Sequence, residues 1–284
     1  MPIIKANGVD LHYLQAGSGP DLILLHGLSG NLAVWHLRLV PLLQERFRVT
    51  TYDLRGHGYS SMPPTGYATR DMALDLNALM DALEIPQADL LGHSYGADIA
   101  LHFSLLFPDR LRKLALIEPG IPALLTDRQG AEWDGWAHWA NVLERLSGEP
   151  VPPERRNDVG YMLRRSVEVP IVYGPARGRP RRRDRILKLM DETTMPTDYG
   201  TVDELTLENL ATVPHPKMLI YDGGSAWLST FHVLKGLLQN CEPVILPTTE
   251  LRHFAPLDAP ELIGQLLDRF LPAERGVEAP SCES

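Results

Sequence analysis

The chain has 284 residues, a formal charge of −9, 44% apolar and 22% charged residues, which is ordinary composition for a folded protein with a substantial core and excludes a largely disordered one. An acidic balance argues against general nucleic-acid binding, which relies on basic surface to displace counterions from phosphates. Two cysteines, Cys241 and Cys282, imply no disulfide framework, and no apolar run is long enough to span a membrane, so the expectation is a cytoplasmic protein with neither nucleic-acid nor membrane partners.

In chain order, Asn7-Gly8 stands between Ile3-Ile4 and the alternating Val9-Asp10-Leu11-His12-Tyr13, the strongest short-range hairpin signal. Leu22-Ile23-Leu24-Leu25 reads as a strand buried on both faces and ends at His26-Gly27. A helix over 34–44, a strand over 48–52, the loop Asp53-Leu54-Arg55-Gly56-His57-Gly58 and a helix over 70–83 follow. The alternation continues with a strand over 89–92, a helix over 96–107 and a strand over 114–117. Parallel strands joined by crossover helices are the natural reading. From Pro119 to about Val213 the rhythm changes to a helical insertion crowded with tryptophan, proline and arginine. Strands over 218–221 and 244–246 and an amphipathic helix over 260–270 complete the pattern. The fold class predicted is α/β: a mostly parallel sheet with an initial antiparallel hairpin, helices on both faces and a helical cap. The division expected is a core of 1–118 and 214–273, a cap of 119–213 and a flexible tail of 274–284.

Gly92-His93-Ser94-Tyr95-Gly96 matches G-x-S-x-G between an apolar strand and a helix. Small residues on either side of the serine permit a sharp turn that exposes its hydroxyl and aims the helix N-terminus at a developing anion. The plainer alternative is a serine N-cap with flexible glycine neighbours.

With the strand-His26-Gly27 element, the Asp53-x-Arg55-Gly56-His57-Gly58 loop, the serine elbow and a late histidine before the last helix, residues 3 to about 271 resemble the α/β-hydrolase superfamily. The resemblance implies Ser94 as nucleophile and, by the order Ser…acid…His, His253 as general base. It implies an oxyanion hole from the backbone N–H groups of Leu28 and Tyr95, with His26 ordering its loop. Family members often carry Gly where Arg252 stands, before the histidine. At the commoner acid position this chain has Ser225, which cannot supply a charge. Two carboxylates compete for the role: Asp222, ending the same strand, and Glu118, ending the preceding one. In certain haloalkane dehalogenases and zearalenone-type lactonases a Glu after that strand serves as the acid, and the match favours Glu118.

In the cap, Trp133, Trp136 and Trp139 recur at near-helical spacing. Packing against the core is the plainer reading, and lining an apolar acyl pocket is the functional one. Arg177, Arg179, Arg181, Arg182, Arg183 and Arg185 read as a solvated loop, with an anionic substrate or acidic carrier protein as the alternative. The function expected is a serine hydrolase of a carboxylic ester or lactone of an apolar or aromatic small molecule, requiring no cofactor or metal. Thioester, carbon–carbon and perhydrolase chemistry stay open, as does a ligand-binding receptor that keeps the pocket. The oligomeric state, a homodimer included, is left open.

Overall fold

The opening strands of the computed structural model, which describes residues 1–28, 30–124, 134–168, 180–250 and 252–271, are β1 (Ile3–Ala6) and β2 (Val9–Ala16), paired antiparallel. Asn7 and Gly8 between them both take positive φ, 49° and 76°, as a two-residue turn matched to strand twist demands. Six further strands follow: β3 (Asp21–Leu25), β4 (Arg48–Tyr52), β5 (Ala88–His93), β6 (Leu111–Ile117), β7 (Lys217–Asp222) and β8 (Cys241–Leu246). They form one sheet in the order β1-β2-β4-β3-β5-β6-β7-β8, antiparallel at β1–β2–β4 and parallel from β4 to β8.

The apolar strand runs serve two faces at once. Ile23, Leu25, Leu90, Leu114, Leu116, Leu219 and Tyr221 enter one core, whereas Leu22, Leu24, Leu91, Ala115, Ile117, Met218 and Ile220 enter the other. The period of two sends alternate side chains to opposite faces, and both faces are covered. The first face is covered by α3 (Thr69–Ala82) and α4 (Tyr95–Leu106), whose Met72, Leu76, Ile99 and Phe103 are buried in it. Against the second lie α1 (Ala33–His36), α2 (Val40–Leu43) and the closing helix α12 (Pro260–Phe270), with Trp35, Leu43, Ile263 and Leu267.

The single helix expected over 34–44 is two, α1 and α2. Pro41 opens the second; lacking an N–H and clashing with the carbonyl four residues back, it suits a first turn and not a helix interior. Between β6 and β7 the described residues form α5 (Asp134–Ser147), α6 (Val159–Glu168), α7 (Pro180–Glu192), α8 (Met195–Asp198) and α9 (Leu207–Leu210). The sequence reading named no helix between β7 and β8, where α10 (Leu228–Leu237) lies, and none at α11 (Ala255–Asp258). The tail expected at 274–284, with Cys282, lies outside the described residues.

Candidate active site

Ser94 ends β5 and heads α4 in a backbone conformation that non-glycine residues avoid, with φ 54° and ψ −126°. Such strain persists only where the surroundings enforce it. A Cβ on Gly92 would lie 2.5 Å from the Ala97 Cα and one on Gly96 2.3 Å from the Leu25 carbonyl oxygen, so the elbow closes only with glycine at both places. Ser94 N–H donates to the Ile117 carbonyl (2.8 Å), and its own carbonyl accepts from Ala97 and Asp98 N–H. Its side chain makes no capping hydrogen bond, which removes the plain N-cap reading.

His253 lies in a short 3-10 turn, Arg252–Phe254, after β8. Its Nδ1 is 3.2 Å from Glu118 Oε2. Because an ionised carboxylate only accepts, Nδ1 carries the proton and Nε2 is left bare to receive one. Glu118 is completely buried, while the His253 side chain is 27% exposed; the pair therefore joins the interior to an accessible ring. The position before His253 holds Arg252 at φ 49°, the left-handed region that favours glycine. Arginine holds this conformation at a steric cost.

His93, beside Ser94, ties the two halves together. Its Nε2–H donates to the His253 carbonyl (2.7 Å), and the two rings lie 5.0 Å apart. Burial, then the neighbouring His253, pushes the His93 pKa down to about 3, so this ring is a neutral donor. Among the described residues the His253 ring bonds through Nδ1 and forms no hydrogen bond with Ser94 Oγ. Apo hydrogen bonds of this kind often tighten only with substrate.

The two competing carboxylates part company here. Glu118 Oε1 accepts the Asp222 N–H at 2.7 Å, and Oε2 accepts the Ser225 hydroxyl at 2.5 Å as well as His253. Asp222 instead turns its oxygens to the N–H groups of Gly224 (2.7 Å) and Thr249 (2.8 Å), holding together the turns after β7 and β8. Glu118 itself sits at φ 55°. The chain beyond it is pinned by Asp98, whose Oδ1 accepts Gly120 and Ile121 N–H at 2.9 and 3.1 Å. Asp98, His93 and Trp227, whose ring lies 6.4 Å from that of His253, were not singled out as site residues from sequence. No motif specifies them, and His93 stands at an unspecified position of G-x-S-x-G.

On the other side of Ser94, a Cβ on Gly27 would lie 3.0 Å from the Ser94 Cβ, so Gly27, the residue before Leu28, lies against Ser94, while Tyr95 starts α4. The backbone N–H groups of Leu28 and Tyr95 are the expected oxyanion donors. His26 orders this loop as anticipated: its Nδ1–H donates to Gly27 O (2.8 Å) and its Nε2 accepts Leu54 N–H (3.1 Å). Burial pushes the Asp53 carboxyl up, but His26, the Leu32 and Tyr59 N–H groups and His12 outweigh it and hold it below its usual range.

Trp136 and Trp139 stack on each other, their rings 6.0 Å apart. Trp136 is buried with Ala140, Leu143, Val151 and Met162 in a small cluster separate from the two sheet cores. Trp139 donates to Ser166 Oγ (2.9 Å) and packs against both that cluster and the first core. Trp133, Arg177 and Arg179 lie outside the described residues. The remaining arginines correct the loop expectation, since Arg181, Arg182, Arg183 and Arg185 belong to α7. Arginine is a good helix former, Pro180 suits a first turn, and Ile186, Leu189 and Met190 provide a buried face. Arg185 is half-buried and donates to the Ser60 carbonyl of the loop after β4.

Similarity to known proteins agrees with the fold. A family model described as alpha/beta hydrolase fold matches residues 20–143. The enol-lactonase from Burkholderia xenovorans LB400 superposes with a TM-score of 0.67 at 23% identity, covering 95% of this chain and 99% of that one. The chain has the α/β-hydrolase fold. A soluble epoxide hydrolase of Corynebacterium sp. (strain C12) is 37% identical over 119 residues, 42% of this chain and 41% of that protein. The 2-hydroxymuconate semialdehyde hydrolase of Pseudomonas sp. (strain CF600) is 37% identical over 134 residues, 46% of this chain and 47% of that protein. These matches thus span less than half the length of either relative. Within the superfamily fold, no described helix is long and apolar enough to cross a membrane.

Proposed function

We propose that this chain is a serine hydrolase that cleaves a carboxylic ester or lactone of an apolar or aromatic small molecule through an acyl-enzyme. The observation that carries the reading is the buried Glu118 carboxylate 3.2 Å from His253 Nδ1, beside a serine in a strained elbow. In this reading neutral His253 takes the Ser94 proton at Nε2 as Oγ attacks the acyl carbon. The developing oxyanion is met by Leu28 and Tyr95 N–H, and the imidazolium is stabilised by Glu118. His253 then returns the proton to the leaving oxygen, and water, activated by the same base, releases the acid. Residues 1–118 and 214–273 serve as the catalytic core, and 119–213 as a cap over it.

Ser94 also sets this chain apart from an epoxide hydrolase or dehalogenase mechanism, which in this superfamily uses an acidic nucleophile at the elbow. A fluorophosphonate probe tests the proposal directly. It is expected to label Ser94 alone, as located by peptide mapping, and not to label folded Ser94→Ala. An unlabelled wild type that still turns over an ester sinks serine catalysis. Labelling without turnover of any ester, lactone or thioester in a broad panel sinks the substrate class and favours a receptor.

A further inference from the structure

The hydroxyl of Ser225 meets the same carboxylate oxygen as the general base. Its distance to Glu118 Oε2 is 2.5 Å, against 3.2 Å for His253 Nδ1. A serine hydroxyl has one hydrogen to give and lone pairs to accept with. Here the lone-pair side is taken by Trp227 N–H at 3.0 Å, so the hydrogen is directed to Glu118. The backbone is fixed too, because Ser225 N–H donates to Asp222 O at 3.0 Å. Ser225 is only 7% exposed and Glu118 not at all, so water is poorly placed to replace the hydroxyl. The tryptophan held by Ser225 has its ring near that of His253.

We infer that Ser225 is a positioning residue for the acid–base pair, setting both the orientation of the Glu118 carboxylate and the share of its charge that His253 receives. This rests on the function proposed above. Two donors on one carboxylate oxygen divide its charge. With Ser225 in place, Oε2 stabilises the imidazolium less than it would alone, and the base stays neutral at lower pH. Removing the hydroxyl leaves Oε2 to His253, favours the charged ring and loosens the carboxylate's rotamer.

The rate of Ser94 labelling by a fluorophosphonate probe, followed against pH, reads this ionisation without knowledge of the natural substrate. For Ser225→Ala the acid limb of the profile is expected to move up by about half to one pH unit, with a several-fold lower plateau. Ser225→Thr, which keeps the hydroxyl, is expected to leave the limb near that of wild type. The inference is overturned if the Ala limb does not move or moves down, or if Thr moves it as far as Ala. A purely structural role would lower Tm and leave the limb in place. Failure of the underlying reading is recognisable separately, because wild type itself would then not be labelled at Ser94, and both proposals would fall together.

Discussion

At the scale of single residues, the two carboxylates at the ends of β6 and β7 make unequal demands on substitution. Glu118→Gln keeps the volume but removes the charge opposite His253 Nδ1 and admits the wrong tautomer. The kcat for an ester is expected to fall by roughly 10⁴, as an Asp-to-Asn change does in the serine-protease triad. Asp222→Asn leaves one oxygen to accept and sets an NH2 against the other of the Gly224 and Thr249 N–H groups, so its effect belongs mainly to stability, with a kcat loss of about tenfold or less. Parallel kcat and Tm measurements on both variants decide the matter, and the reverse ranking would hand the acid role to Asp222. The sequence narrowed the acid to these two, because carboxylates ending adjacent parallel strands are visible as a pattern. It could not rank them on geometry, because the choice depends on which side chain turns toward the late histidine. Ser225, which looked like the gap in the motif, is hydrogen-bonded to Glu118, the carboxylate proposed to fill it.

At the scale of elements, the strands were the most legible part, since runs such as Leu22-Ile23-Leu24-Leu25 are apolar without a break only when both faces are covered. The elbow was legible for a different reason: a Cβ at position 92 or 96 would lie 2.5 or 2.3 Å from neighbouring backbone atoms, so glycine is required at both. Helix α7 was not, because its arginines masked the Ile186-Leu189-Met190 face. For the proposed cap, Trp136→Ala empties part of a small cluster that α5 shares with α6. A loss of about 3 kcal/mol or more is expected if that cluster unfolds with the core, read from denaturant unfolding. If the cap also selects substrate, the ratio of kcat/KM for bulky to short acyl esters changes in the same variant. An unchanged ratio with lowered stability would assign Trp136 to packing alone. Arg185→Leu removes a bond from α7 to the Ser60 carbonyl. Faster amide hydrogen exchange within α7 is expected, with little change in Tm, because one hydrogen bond contributes only about 1 kcal/mol.

For the whole molecule, the buried histidines beneath the site make stability depend on pH with a definite sign. His57 and His93 are both buried, and burial first, then a neighbouring histidine, lowers each from the ordinary 6.5 to about 3. The folded chain therefore holds them neutral where the unfolded chain protonates them. Their contribution is fully present above about pH 6.5 and is lost as pH falls from there toward 3. At pH 5 the difference amounts to about 2 kcal/mol for each ring, at 1.36 kcal/mol per pKa unit. His36, His102 and His215, also lowered first by burial, act in the same direction. Asp75 and Asp89 oppose it, because burial raises them and the folded state then gains protons on acidification. Their effect begins nearer the carboxylate range, so between pH 6.5 and 5 the histidines prevail. Denaturant unfolding at pH 7.5, 6 and 5 is expected to show a loss of several kcal/mol between the first and the last, most of it between pH 6 and 5. His93→Gln, which keeps a donor for the His253 carbonyl, is expected to remove a share of that loss. Stability that stays level down to pH 5 would mean that these rings are protonated in the folded chain, and the neutral donor assigned to His93 would fail with it.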